Sequence, residues 1–385
     1  MTLSLLNNRH QEVGLIIDIG STSVASALVL FSEKEKPEVV FSRRTRTPIE
    51  KNWDRKKIFT ALREALVNLI NITLKEGAGK LHLDEKKLRD KKIKEIFCVF
   101  SSPWSSFQVK TLKAKEKEAQ LVSKETLDSL IKKEVEEPLK PEYDLVERKI
   151  IQTKLNGYRT SNPLGQKARE IEVSIFEGLV HKEETKKIES LILPRLHGRV
   201  VFHSLSLMTV IAINELFETE NHYLTVDITG ETTEVNLVRD GLVVASYSFP
   251  RGRNDFIRKL AEEFGVETDI ALSFIRMFYE KKTEENFRGR IERVVREAEN
   301  SWLNNLAEAF KSFPKEFIPP KVFVLTDREL EYPFPPLIKK ALGNASAKTS
   351  VEFLAGEILN RLLNFRDKID PFLAIEAIAI NRMRF

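Results

Sequence analysis

Leu15-Ile16-Ile17-Asp18-Ile19-Gly20-Ser21-Thr22-Ser23 runs into the apolar stretch 24–31, and past mid-chain Leu224-Thr225-Val226-Asp227-Ile228-Thr229-Gly230-Glu231-Thr232-Thr233 runs into 234–238. Each copy reads as strand, tight turn, strand. β-Branched and apolar flanks enclose a glycine set among hydroxyl residues, with an aspartate at the end of the incoming strand. Backbone N–H groups at such a turn suit phosphate oxygens, Ser and Thr hydroxyls add donors, and an aspartate can hold Mg²⁺ through its waters. A single copy reads more simply as a hairpin turn without a ligand. Repetition shifts that balance, because an internal duplication implies two related units.

The length of 385 residues exceeds what one hydrophobic core usually serves, so two lobes are expected. The composition, 42% hydrophobic and 31% charged, is that of a globular chain. The 62 basic and 57 acidic residues are interspersed, so the net charge of +5 describes a solvated surface and not a nucleic-acid stripe. No nucleic-acid partner is expected. The lone cysteine, Cys98, sits in the apolar run 96–100 and reads as a buried strand residue, which fits a reducing cytoplasm. The six histidines show no metal-ligand spacing, so no metal site built from protein side chains alone is expected. Residues 1–12 fit neither a signal peptide nor a membrane span. The expected location is cytoplasmic, or peripheral at the inner face of the membrane.

After the first hairpin, 39–44 reads as a third strand, and 55–74 places Ile58, Leu62, Leu66, Leu69 and Ile70 on one helical face. Strands follow at 93–100, 107–115, 144–155 and 168–181, with a helix opening at Ser123 and turns at Asn156-Gly157 and Asn162-Pro163. The second hairpin continues into a strand at 242–249, a helix opens after Pro250, and helices fill most of 268–310. A strand is expected at 322–326, then helices over 351–363 and 371–384. This gives a first lobe over 1–93, an inserted α+β subdomain over 94–181, a return over 182–222, a second lobe over 223–370 with a helical part at about 255–318, and a closing helix over 371–385.

Paired hairpins in duplicated α/β lobes resemble the phosphate loops of the actin, sugar-kinase and heat-shock-chaperone superfamily. The chain is most similar to its bacterial branch, the cell-division protein FtsA and the type IV pilus protein PilM. Leu155-Asn156-Gly157-Tyr158-Arg159-Thr160-Ser161-Asn162-Pro163-Leu164-Gly165 followed by Glu170-Ile171-Glu172-Val173 resembles the hairpin of the extra subdomain, called 1C, that both carry. Phe249-Pro250-Arg251-Gly252-Arg253-Asn254 is similar to the Pro-x-Gly-Gly-Asn segment after the second loop. The implied fold is α/β, a duplicated actin-like (ribonuclease H-like) two-lobed ATPase with a 1C-type insertion.

The resemblance implies ATP or ADP with Mg²⁺ between the lobes. Gly20, Ser21, Thr22, Ser23, Gly230, Thr232 and Thr233 would surround the phosphates, and Asp18 and Asp227 would lie near the metal. Three departures qualify this. Thr229 and Glu231 replace glycines of the second loop, although a glutamate in that neighbourhood also resembles PilM-like sequences, Arg253 replaces a glycine before Asn254, and Thr326-Asp327-Arg328-Glu329 stands where the family has a glycine run under the adenosine. Hydrolysis is therefore expected to be weak or absent, and no residue is singled out as a catalytic base. The resemblance implies an FtsA-like scaffold that self-associates and links partners at the membrane. The alternatives are a PilM-like pilus adaptor or a pseudo-ATPase of the same fold. A partner, an FtsZ tail or the peptide of a pilus membrane protein, would dock on the inserted subdomain, and the membrane would be reached only through a partner.

Overall fold

A computed structural model describes residues 11–51, 53–134, 140–313, 319, 321–326, 334–343, 350–366 and 368–385. In the first sheet the strands β1 (Gln11–Ile19), β2 (Ser23–Ser32) and β3 (Glu38–Arg46) form an antiparallel meander. Helix α1 (Arg55–Lys80) covers one face, capped by Asp54, whose side chain accepts from the Lys56 and Lys57 amides. After a short helical turn, α2 (Glu85–Lys87), strand β4 (Glu95–Phe100) runs parallel to β1.

The chain then leaves for a separate four-stranded antiparallel sheet. It contains β5 (Ser105–Leu121), β6 (Tyr143–Leu155), β7 (Tyr158–Thr160) and β8 (Lys167–His181), in the order β5-β8-β6-β7, with α3 (Lys124–Glu134) beside it. Asn156 and Gly157, both at positive φ, form the tight turn between β6 and β7. Helix α4 (Lys182–Ile192) leads back to β9 (Arg199–Ser204), which pairs in parallel with β4, and to α5 (Leu205–Leu216).

The second sheet repeats the first. Strands β10 (His222–Ile228), β11 (Thr233–Arg239) and β12 (Leu242–Phe249) form the meander, followed by α6 (Arg253–Phe264), α7 (Thr268–Tyr279) and α8 (Glu285–Ser312). Strand β13 (Lys321–Thr326) lies parallel to β10, and α9 (Phe334–Gly343) precedes β14 (Ser350–Phe353), which lies parallel to β13. The order β12-β11-β10-β13-β14 matches β3-β2-β1-β4-β9 strand for strand. Finally β15 (Asn364–Phe365) returns to pair with β3, and α10 (Pro371–Arg384) closes the described chain.

Two expectations change. Residues 351–363 do not form the expected helix: Val351 to Phe353 pair with Val322 to Val324, and only a 3₁₀ turn, Leu359–Arg361, follows. Parallel pairing at the open edge of a sheet outweighs local helical periodicity there. The chain also rejoins the first sheet at Asn364, ahead of position 371, and leaves it only after Phe100.

Helices α5 and α10 are apolar nearly all round and are correspondingly buried, α10 from Pro371 to Ile380. Their core takes Ile16, Val29 and Phe97 from the first sheet and Tyr223, Phe323 and Leu325 from the second. The two repeats are thus joined through a shared hydrophobic layer, and both hairpin loops lie at its edge.

Candidate functional site

In the first hairpin the Gly20 amide donates to the Ser23 carbonyl at 2.9 Å, and in the second the Thr229 amide donates to the Thr232 carbonyl at 3.0 Å. Register places Asp18 opposite Ala25 and Asp227 opposite Glu234, so the two aspartates occupy equivalent positions of the repeat.

The two loops touch. Ser21 Oγ donates to Thr229 Oγ1 at 3.0 Å and accepts from the Glu231 amide at 2.8 Å. Asn254 Nδ2 donates to Thr22 Oγ1 at 3.1 Å. A Cβ on Gly230 would lie 1.8 Å from Thr22 Oγ1, so this approach requires glycine. Gly252 has the same role beneath the second loop, where an added Cβ would lie 2.5 Å from the Thr229 and Gly230 carbonyl oxygens. That proximity lets the Arg253 and Asn254 amides, at the N-terminus of α6, donate to those two carbonyls at 3.1 and 2.8 Å.

The other hydroxyls expected around phosphates are also engaged. Ser23 Oγ accepts from Arg44 Nη1 at 2.9 Å, and Thr232 Oγ1 donates to the Ser102 carbonyl at 2.8 Å. Thr233 faces the second core, donating to the Arg251 carbonyl at 2.7 Å and accepting from Trp302 Nε1 at 3.0 Å. The structure thus brings Gly20, Ser21, Thr22, Gly230 and Thr232 together and turns Thr233 away. Thr326 ends β13 in a buried position, and Asp327 and Arg328 lie outside the described residues.

The aspartates differ in company. Arg44 Nη1 approaches Asp18 Oδ2 to 2.7 Å, while its Nε and Nη2 donate to the Asp370 carboxylate at 2.6 and 2.9 Å. Burial raises the Asp18 pKa, and Arg44 opposes that rise. Glu376 of α10 is buried beside them; burial together with the Asp18 charge raises its pKa well above the ordinary range, and a hydrogen bond to Asp18 adds to the rise. Among the described residues the Asp227 carboxylate has no hydrogen-bond partner. Burial, reinforced by Glu234, raises its pKa well above normal, and burial raises Glu234 as well.

Sequence reasoning missed Arg44, Glu376 and Arg258. Arg258 Nη2 lies 2.8 Å from both Glu231 carboxylate oxygens, and Asn254 Nδ2 donates to the same carboxylate at 2.9 Å. An arginine near the end of β3 and a glutamate within the apolar run 371–380 were the available signals.

Between the two hairpin loops the residues as they stand leave no room for nucleotide phosphates. Between the loops, bounded by Asp18, Gly20, Arg44, Thr229, Gly230 and Arg253, is a cavity of about 20 Å³. That is room for about one water, against the roughly 300–1,000 Å³ of a small-molecule site. Among the described residues, no group of three or more His, Cys, Asp and Glu side chains is arranged to hold a metal ion. A wider cleft of about 430 Å³ opens beyond Asn254, between Thr47, Ile49 and helices α6 and α7.

The sequence matches no protein-family model and no curated protein. Solved structures do match. A chain titled as a PilM–PilN type IV pilus biogenesis complex is 13% identical, with 96% of each chain covered and a TM-score of 0.62. The ethanolamine utilization protein EutJ from Carboxydothermus hydrogenoformans is 13% identical over 96% of this chain and 89% of that one, with a TM-score of 0.48. A Bacteroides thetaiotaomicron protein with actin-like ATPase fold is 9% identical over 98% of each, with a TM-score of 0.42. The duplicated sheets and the PilM–PilN match together give this chain a two-lobed actin-like fold.

Proposed function

We propose that the protein is a PilM-like adaptor, an actin-like body that holds an extended peptide of a membrane-protein partner on its inserted sheet. The observation that carries this reading is the edge of that sheet. Strand β7 pairs with β6 only at Thr153 to Leu155, so no described strand pairs with the outer side of β6 from Tyr143 to Gln152. Ile150 and Tyr158 are exposed there. An open edge can accept a peptide strand through main-chain hydrogen bonds, with side-chain pockets supplying specificity.

The mounting of the sheet supports the same reading. Glu147 of β6 is buried and accepts from the Ser204 amide at 2.8 Å and the Ser204 hydroxyl at 2.5 Å, with His203 Nδ1 at 2.8 Å. Those contacts tie the inserted sheet to β9, so the edge is presented on a fixed support. Among the described residues no helix is long and apolar enough to cross a membrane. In this reading a partner brings the protein to the membrane.

The FtsA-like reading, with self-association and an FtsZ tail as partner, shares the fold and differs in the peptide. Titration of the full chain with an FtsZ tail peptide and with the cytoplasmic peptide of a pilus membrane protein separates them. The adaptor reading expects binding of the pilus peptide and its loss in Ile150→Glu. Binding of the FtsZ tail alone favours the division scaffold, and binding of neither removes both.

A further inference from the structure

We infer that this chain carries its own ligands for the hairpin site. The Glu231 carboxylate fills an anion position held by Asn254 and Arg258, and the Arg44 guanidinium fills the cation position beside Asp18, so the lobes close without a nucleotide. The inference rests on the actin-like fold and not on the partner reading, and its test uses no peptide.

Glu231 belongs to the second hairpin loop. It is buried, and its carboxylate is held by one amide donor and one guanidinium, the donor types that hold phosphate oxygens. Its backbone amide crosses to Ser21 of the other lobe. Arg258 also donates from Nε to the Glu50 carbonyl at 2.9 Å, so the group that grips the internal anion is itself anchored to the first lobe. The N-terminal amides of α6, which would otherwise face an anion, are used by the carbonyls of Thr229 and Gly230.

Arg44 completes the charge pattern on the opposite side. Its guanidinium is shared by Asp18, Asp370 and Ser23, and it lies 5.2 Å over the Phe372 ring. A fixed internal cation there takes one oxygen, Oδ2, of the carboxylate that would otherwise face a hydrated metal. Glycine at 230 lets the loops meet, and glutamate at 231 replaces with its own carboxylate the negative charge that a phosphate would bring.

The test is thermal melting of the full chain and of Glu231→Gly with Mg²⁺-ATP, Mg²⁺-ADP and inorganic phosphate at millimolar concentration. The wild-type melting temperature is expected to stay unchanged. The variant is expected to melt lower and to recover by about 2–4 °C with phosphate or nucleotide, because a ligand that binds only the folded state stabilises it. Should Glu231→Gly fail to fold, Glu231→Ser serves in the same assay. Stabilisation of the wild type by Mg²⁺-ATP to the same degree as the variant overturns the inference, and so does the absence of any gain in both variants.

Discussion

Asp18 and Arg44 lie in one row across the first sheet with only Ala25 between them: Asp18 pairs in register with Ala25, and Ala25 with Arg44. The small side chain at 25 leaves the guanidinium a path to the carboxylate, which it meets at 2.7 Å. The equivalent row of the second sheet reads Asp227, Glu234, Ser248 and has no cation. The repeat therefore conserves the geometry of its aspartates while giving them opposite electrostatic surroundings.

Arg44→Met should be strongly destabilising. Asp18 and Asp370 would lose their shared cation, and breaking a buried pair by removing one partner costs about 3–5 kcal/mol. Chemical denaturation measures the loss. Adding Asp18→Asn should return part of it, because the two sites are coupled. A cost within 0.5 kcal/mol, about that of an ordinary surface substitution, would contradict the pairing.

Asp227→Asn should change the pH dependence of stability. The folded-state pKa of Asp227 is raised well above the ordinary 3.8, chiefly by burial. Between that value and its folded pKa the folded protein binds more protons than the unfolded chain, so wild-type stability falls as pH rises through the window. The slope from one group is at most about 1.4 kcal/mol per pH unit. The asparagine variant lacks this slope. Its advantage over the wild type should grow from pH 4 towards neutrality, and a difference independent of pH would be the contrary result.

Gly230→Ala should force the hairpin loops apart, since its Cβ would fall 1.8 Å from Thr22 Oγ1. Overpacking of this kind costs about 1–3 kcal/mol. Thr22→Ala removes the clashing oxygen, so the double variant should be less destabilised than the sum of the two single changes. Strict additivity would mean that the loops do not touch.

Trp104→Phe tests the support of the first loop. Trp104 is buried against Phe59 with ring centroids 5.1 Å apart, and its Nε1 donates to the Gly20 carbonyl at 2.7 Å. Phenylalanine keeps an aromatic ring but removes the donor, and an unsatisfied buried acceptor costs about 1–3 kcal/mol. An equilibrium unfolding curve indistinguishable from wild type would show that Gly20 finds another donor.

The repeated hairpin was legible because each copy is local: strand, glycine turn and strand follow within a few residues, and the shared pattern revealed the two-lobed plan. Arg44 was not legible as a partner of Asp18, because the two meet only through the pairing of β1 with β2 and of β2 with β3. Glu376 was hidden in an apolar run whose burial was readable while its neighbours across the layer were not. Strand β14 was misread as helix because its pairing with β13 is a tertiary event without a local signal. The hydroxyls of Ser21 and Thr22 were recognised as donors, but nothing in the sequence showed that the opposite loop and α6 would engage them.

Amide hydrogen exchange across Gly20 to Thr22 and Thr229 to Glu231, with and without millimolar Mg²⁺-ATP, tests the closed site most directly. With the Glu231 amide bonded to Ser21 and the Thr229 amide bonded within its own turn, these positions should already be protected, and the nucleotide should leave their exchange unchanged. Fast exchange in the free protein that slows when Mg²⁺-ATP is added would contradict a cleft filled by its own side chains.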